Sequence, residues 1–190
     1  MELRDACGGD LYVQQQVANL VRQHGIVSII ETGTFDGRTT RFLATLAHRV
    51  LSIGIDPIGF QSCRRLEGLD NVKWVLGNTA EMILRHAPEL PGPFLFFLDA
   101  QWGPQWAIWS ELHAIAELKL RPIIVIPDFK VPGTSLAFDR CGSVELSYSA
   151  IATSVDSIYG QGRSNFWTNA DGTAGGARRG VGYFEPAGAA

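Results

Sequence analysis

Ile26-Val27-Ser28-Ile29-Ile30-Glu31-Thr32-Gly33-Thr34-Phe35-Asp36-Gly37 is the stretch that decides the fold. The β-branched run at its start reads as a strand buried on both faces, the habit of a parallel sheet. An acid, Glu31, closes the strand. Gly33 and Gly37 then mark a tight turn, and a helix is expected from about Arg38 to Ala47. In an open α/β sheet, ligands sit at the carboxyl ends of the strands, so this turn is the first place to look for a site.

Upstream, Leu11, Val13, Val17, Leu20 and Val21 recur at helical spacing, and Gly25 ends that helix. Downstream, strands and helices alternate. Strands are expected at Val50–Ile55, Val72–Leu76, Phe94–Leu98 and Ile123–Ile126. Helices are expected at Gln61–Leu69, at Ala80–His86 with Asn78 or Thr79 as the cap, and from Gly103-Pro104 to about Lys119. This spacing means βαβ units and a mostly parallel, Rossmann-like α/β sheet with helices on both faces. After Asp128 the pattern changes. Val131–Gly142 reads as a loop and Val144–Tyr159 as a helix. Asn165–Thr168 and Val181–Phe184 read as two antiparallel strands joined by a Gly-rich polar connection, and residues 186–190 as a flexible tail. No internal repeat is visible. The 190 residues fit one domain, with residues 1–25 as its N-terminal helical region.

Composition excludes several classes. With 46% hydrophobic residues the chain can build a core, and its net charge of -3 without a basic block argues against a nucleic-acid partner. No apolar run approaches the roughly 20 residues a bilayer span needs, so no membrane partner is expected. Met1–Asp10 has no apolar core of a signal peptide. Cys7, Cys63 and Cys141 are odd in number and far apart, which suits a reducing, cytoplasmic setting.

The turn's chemistry can be narrowed. Its Gly-x-x-x-Gly spacing lacks the Gly-x-Gly-x-x-Gly that seats a pyrophosphate, and a carboxylate at Glu31 would repel a phosphate. Glu31 suits instead the cationic amino acid portion of S-adenosylmethionine. Asp56, ending the second strand, stands where an acid can take both hydroxyls of a ribose. The plain alternatives are a tight strand-to-helix turn and an ordinary turn residue before Pro57.

The pieces Glu31–Gly37, Ile55-Asp56-Pro57, Gly77-Asn78-Thr79, Phe97-Leu98-Asp99-Ala100, Val125–Phe129 and Arg179–Tyr183 together resemble the class I S-adenosylmethionine-dependent methyltransferases. The resemblance implies a seven-stranded sheet in the order 3-2-1-4-5-7-6, with the last strand antiparallel. It implies that Gly33 and Gly37 meet the methionine portion, Asp56 the ribose, and Asn78 with Thr79 the adenine; Thr34 and Phe35 of the same turn are further cofactor-binding candidates. The pair Asp99 and Asp128 is most similar to the macrocin-type sugar O-methyltransferases. There, acids at the ends of strands four and five hold Mg²⁺ or another divalent cation that gathers the substrate hydroxyls. This chain departs from them at Phe129, where a second adjacent acid is common.

Methyl transfer needs an aligned acceptor and, for a hydroxyl, a route for its proton. Asp99, Asp128 and Lys130 are the candidates for that work, and Asp99 also for the cofactor's edge. Gln101 and Trp102 are candidates for substrate contact. Trp102, Trp106 and Trp109 fall at helical spacing, which is more often core packing. The expected reaction is O-methylation of a sugar-like or other hydroxylated acceptor, a small molecule or a glycan, in a site that is open or completed by a second subunit of a homodimer. A nitrogen or protein acceptor is disfavoured because Asp99-Ala100-Gln101-Trp102 stands where Asn/Asp-Pro-Pro-Tyr would. A non-catalytic binding module is disfavoured by the intact Glu31, Gly33, Gly37 and Asp56.

Overall fold

The computed structural model describes residues 3–63, 68–101, 106–173, 175–176 and 178–188. Seven strands form one sheet: β1 (Ser28–Thr32), β2 (Arg49–Gly54), β3 (Val72–Leu76), β4 (Phe94–Leu98), β5 (Ile123–Pro127), β8 (Ser164–Thr168) and β9 (Val181–Pro186). Their order is β3-β2-β1-β4-β5-β9-β8. The first five are parallel, and β9 runs antiparallel to both β5 and β8. Counting sheet strands alone, this is the expected 3-2-1-4-5-7-6 arrangement. The two additional strands, β6 (Arg140–Cys141) and β7 (Val144–Glu145), form a separate small ribbon.

Alternation along each strand explains why the central runs are apolar throughout. Ile30, Leu51, Phe96 and Ile124 point to one face, against Ile83, Leu112, Ile115 and Val155 of helices α4 (Thr79–His86), α5 (Ile108–Glu117) and α6 (Tyr148–Tyr159). Ile29, Val50, Phe97 and Val125 point to the other, against Val13, Val17 and Leu43 of α1 (Leu11–Gln23) and α2 (Arg38–Ala44). All of β1, and β4 and β5 apart from Phe94 and Pro127 at their ends, are therefore buried whichever way a residue points. Leu11, expected on the buried stripe of α1, is 47% exposed; the buried polar residue Gln14 takes a place on that stripe instead.

Several boundaries differ from the sequence reading, each for a local reason. α3 spans Pro57–Cys63 rather than starting at Gln61. The Asp56 carboxylate accepts from Ile58 N at 3.0 Å and Gly59 N at 2.9 Å, capping a helix whose first residue is a proline. α5 begins at Ile108, a turn later than Gly103-Pro104, which lie outside the described residues. Val144 and Glu145 are ribbon, so α6 starts at Tyr148. β9 runs to Pro186, two residues beyond its expected end, and Ala187 N donates to Arg163 O at 2.9 Å, so the first residues of the expected flexible tail are tied down. Among the described residues, no helix is long and apolar enough to cross a membrane.

Candidate active site

The turn after β1 is built from its neighbours' backbones. Gly33 N donates to Ile53 O at 2.9 Å, and Asp99 N donates to Thr32 O at 3.1 Å. Gly33 has φ of 88°, and a Cβ there would lie 2.1 Å from the carbonyl oxygen of Asp99. Only glycine fits, because the end of β4 passes against it. Gly37 has φ of 77° at the cap of α2, and its N–H donates to Thr34 O at 2.9 Å. Gly37 lines neither cleft described below, so its position is explained by the turn.

Glu31 does not reach the ligand side either. It is 1% exposed and lies beneath the turn among hydroxyls. Thr40 Oγ1 donates to its carboxylate, and Ser52 Oγ donates at 2.7 Å. Ser52 in turn lies 2.8 Å from Thr34 Oγ1. Burial raises the Glu31 pKa to about 7 against the opposing pull of these hydroxyls. Glu31 therefore braces Thr34 from below, and it lines neither cleft from which a cationic ligand would be met directly or through water.

Two clefts open at the carboxyl ends of the strands. The first, about 430 Å³, runs from the β1 turn across the end of β2. Thr34, Phe35, Asp56, Asn78 and Thr79 all line it, with Gly33 at its edge. Its rim carries large apolar side chains facing solvent: Phe35 is 69% exposed and Ile55 75%. Asp56 caps α3 with both carboxylate oxygens, yet it is exposed, and each oxygen keeps a lone pair for a hydroxyl. Asn78 Oδ1 accepts from Glu81 N at 3.2 Å, the cap of α4, and keeps a second lone pair.

The second cleft, about 610 Å³, lies on the α1 side of the sheet and is walled by Asp99, Gln101, Asp128, Asp139, Arg178 and Arg179, among others. Burial holds the Asp99 carboxyl well above the usual carboxylate range, helped by the negative charges of Asp128, Glu31 and Asp139 and opposed by Arg179. Asp128 sits at φ of 59°. Burial raises its pKa also, while Arg179 Nε, which donates to its carboxylate, pulls the other way. Gln101 is 5% exposed; its Nε2 donates to Leu98 O at 3.0 Å, and its Oε1 has no partner among the described residues. Trp106 lines both clefts.

The structure thus brings Asp99, Asp128 and Gln101 together. It keeps Lys130 apart: its ammonium pairs with Glu145 and lies 5.4 Å from the Phe138 ring centre, and it lines neither cleft. Trp102 lies outside the described residues. The metal expected at Asp99 and Asp128 does not fit these side chains. Asp128 is already held by a guanidinium, Phe129 is fully buried in a ring cluster with Phe166 and Phe184, and no group of three potential ligands gathers among the described residues. Sequence reading missed the roles of Arg179, which β9 pairing beside β5 brings to Asp128, and of Asp139, whose backbone N–H donates to Asp128 O at 2.9 Å and whose carboxylate takes the same guanidinium. It also missed Glu111, a helix residue whose full burial no local pattern announces.

Neither a protein-family model nor a curated protein sequence matches the chain. Solved structures do resemble it. An O-methyltransferase from Bacillus cereus, solved with S-adenosylhomocysteine, aligns with a TM-score of 0.59 at 17% identity, over 93% of this chain and 81% of that one. The O-methyltransferase TomG from Streptomyces achromogenes, solved with S-adenosylmethionine, gives 0.58 at 19%, over 93% and 80%. An rRNA methylase from Streptococcus thermophilus gives 0.59 at 14%, over 92% and 94%. At these identities the likeness is one of fold and leaves the acceptor open. Five parallel strands, a reversed β9 between β5 and β8, and helices on both faces make this chain a Rossmann-like protein of the methyltransferase fold.

Proposed function

We propose that the chain is an S-adenosylmethionine-dependent methyltransferase that methylates a hydroxyl of a small acceptor. The observation that carries the reading is the pair of adjoining clefts sharing Trp106, one apolar-rimmed with an acid at the end of β2, the other polar with Asp99 at the end of β4. The first suits an adenosyl group: Phe35 and Ile55 offer apolar faces to a flat ring, Asp56 two acceptors to a ribose, and Asn78 and Thr79 polar edges to a base. When bound, S-adenosylmethionine supplies an activated methyl group on a sulfonium.

The chain's own residues then have three tasks. Gly33 and Trp106 set the boundary between the two clefts. Gln101 Oε1, buried and unpartnered among the described residues, accepts a hydrogen bond from the acceptor and orients it. Asp99 receives the acceptor's hydroxyl proton; its raised pKa brings its basicity nearer to that of the group it must deprotonate. A cavity of about 610 Å³ suits a small molecule or a single sugar unit of a larger one.

Calorimetric titration with S-adenosylmethionine and S-adenosylhomocysteine tests the reading. Both should bind, and Asp56→Ala should weaken each about tenfold or more by removing charge-assisted hydrogen bonds to the ribose, alongside a loss of roughly 1 kcal/mol of stability from the α3 cap. Absence of binding by either ligand at about millimolar concentration would remove the basis for a methyltransferase.

A further inference from the structure

Asp10, Asp99, Asp128 and Asp139 all line the larger cleft, and Arg179 is built in against the last two. Arg179 donates from Nε to Asp128 and from Nη2 to Asp139, while Nη1 makes no hydrogen bond among the described residues. The side chain is 36% exposed and lines the cavity. Its backbone is clamped from both sides. Asn169, 1% exposed, donates from Nδ2 to Arg179 O at 2.9 Å and accepts from Val181 N at 2.8 Å. Gly180 N donates to Ala137 O and Gly180 O accepts from Phe129 N, each at 2.9 Å. A Cβ at Gly180 would come 2.0 Å from Phe129 O, so the strand passes with no room to shift. Asp139 N also donates to Asp128 O at 2.9 Å, which fixes the two acids relative to each other.

A hard divalent ion needs about six oxygen ligands, with carboxylates among them. The position after Asp128, where a further ligand would be most useful, is the fully buried Phe129. An ion at Asp128 would have to displace a planar guanidinium that already binds two carboxylates in fixed geometry, and would then sit beside its positive charge. The charge a metal would supply is already present in covalent form.

We propose that Arg179 is the resident cation of this cleft in place of a divalent metal, and that its uncommitted Nη1 face receives an oxygen of the acceptor. Gln101 lines the same cavity, and its buried Oε1, without a partner among the described residues, is there to take a hydrogen-bond donor. The two together select a molecule with a carboxylate or carbonyl oxygen near a hydroxyl, over a vicinal diol that depends on chelation. Arg178, exposed on the same wall and without an ion pair among the described residues, adds to the attraction for an anion. The word acceptor rests on the methyl-transfer reading; the assignment of the cation does not.

Manganese binding to the full chain, followed by the paramagnetic resonance signal of free Mn²⁺, tests the assignment. Wild type should leave the ion free at about 1 mM, the weak end of protein sites for hard cations. Arg179→Met keeps the length of the stem and releases Asp128 and Asp139, and should bind Mn²⁺ at least about tenfold more tightly than wild type. Arg179→Lys, which keeps the charge and loses the fork, should not gain binding. Circular dichroism establishes that each variant is folded. A folded Arg179→Met with no gain overturns the proposal. So does wild-type binding of Mn²⁺ that disappears in Asp128→Asn, a result that needs no Arg179 variant to fold. S-adenosylhomocysteine is titrated in the same samples: its failure to bind would remove the methyl-transfer reading while the Mn²⁺ result still decides the cation.

Discussion

Replacing Glu111 by Gln should make the protein markedly more resistant to unfolding at alkaline pH and change it little at acid pH. Glu111 lies in the first turn of α5, is 0% exposed, and has no hydrogen-bond partner for either carboxylate oxygen among the described residues. Burial raises its pKa from 4.5 to about 7; the hydroxyls of Thr79 and Thr32 nearby oppose the rise without completing a hydrogen bond. A raised acid favours the protonated form in the folded state, so below pH 4.5 Glu111 carries no ionisation cost. Between pH 4.5 and 7 the unfolded chain releases the proton while the native chain retains it, and stability falls as pH rises. Above 7 the cost is complete, about 1.4 kcal/mol per pKa unit, or roughly 3 kcal/mol in all. Gln has nearly the same shape and no charge, so the variant should lose that slope. In a domain of this size the difference corresponds to roughly 5–12 °C in midpoint at pH 8. The assay is urea unfolding followed by tryptophan fluorescence, wild type beside Glu111→Gln, at intervals from pH 4 to 8. Curves that stay parallel across that range, with a constant offset, would refute the reasoning, because a carboxylate that ionises equally in both states has no linkage to folding.

Two further outcomes follow from the site. Gly33→Ala puts a methyl group 2.1 Å from the Asp99 carbonyl oxygen at a φ of 88°, and should cost about 3 kcal/mol or more in urea unfolding, or prevent folding; a loss under about 1 kcal/mol would mean that β4 can move away from the turn. Asp99→Asn should lower the methyl-transfer rate by about 10²- to 10⁴-fold while S-adenosylhomocysteine affinity changes far less, measured by turnover and calorimetry; equal losses in both would make Asp99 a binding residue instead of the proton acceptor.

The sheet was legible in the sequence because its central strands are buried on both faces, so Ile29-Ile30, Phe94–Leu98 and Ile123–Ile126 stand out without any periodicity. The clefts were legible only at strand ends. Asp56, Asn78, Thr79 and Asp99 lie where a parallel sheet delivers its ligand residues, and all line a cleft. Glu31 and Gly37 share the same address in sequence and serve the turn instead. The direction of the Glu31 side chain, next to last in β1, depends on the hydroxyls of Thr40 and Ser52, which arrive from a helix and another strand. Lys130 misled for the same reason, since its partner Glu145 is supplied by a ribbon that no run of alternating residues predicts. Asp128 was found without its meaning, because Arg179 and Asp139 reach it from 51 residues and roughly a dozen residues away respectively.

The turn after β1 carries a physical lesson of its own. Glu31, Ser52 and Thr34 form a hydrogen-bonded chain beneath it, and Gly33 touches the backbone of Asp99 above it. The residues that face the first cleft and the carboxyl that faces the second are therefore parts of one rigid unit, joined through backbone at the ends of β1 and β4. The unit is stressed by an acid with a pKa near 7 at its base. Protonated, Glu31 can donate to a neighbouring hydroxyl; ionised, it demands donation from both Thr40 and Ser52, and Ser52 can then only accept from Thr34. The hydroxyl of Thr34 is fixed in direction in that state, away from the cleft and toward Ser52. Titration at Glu31 is thus coupled, through Ser52, to the hydroxyl of Thr34 on the wall of the first cleft.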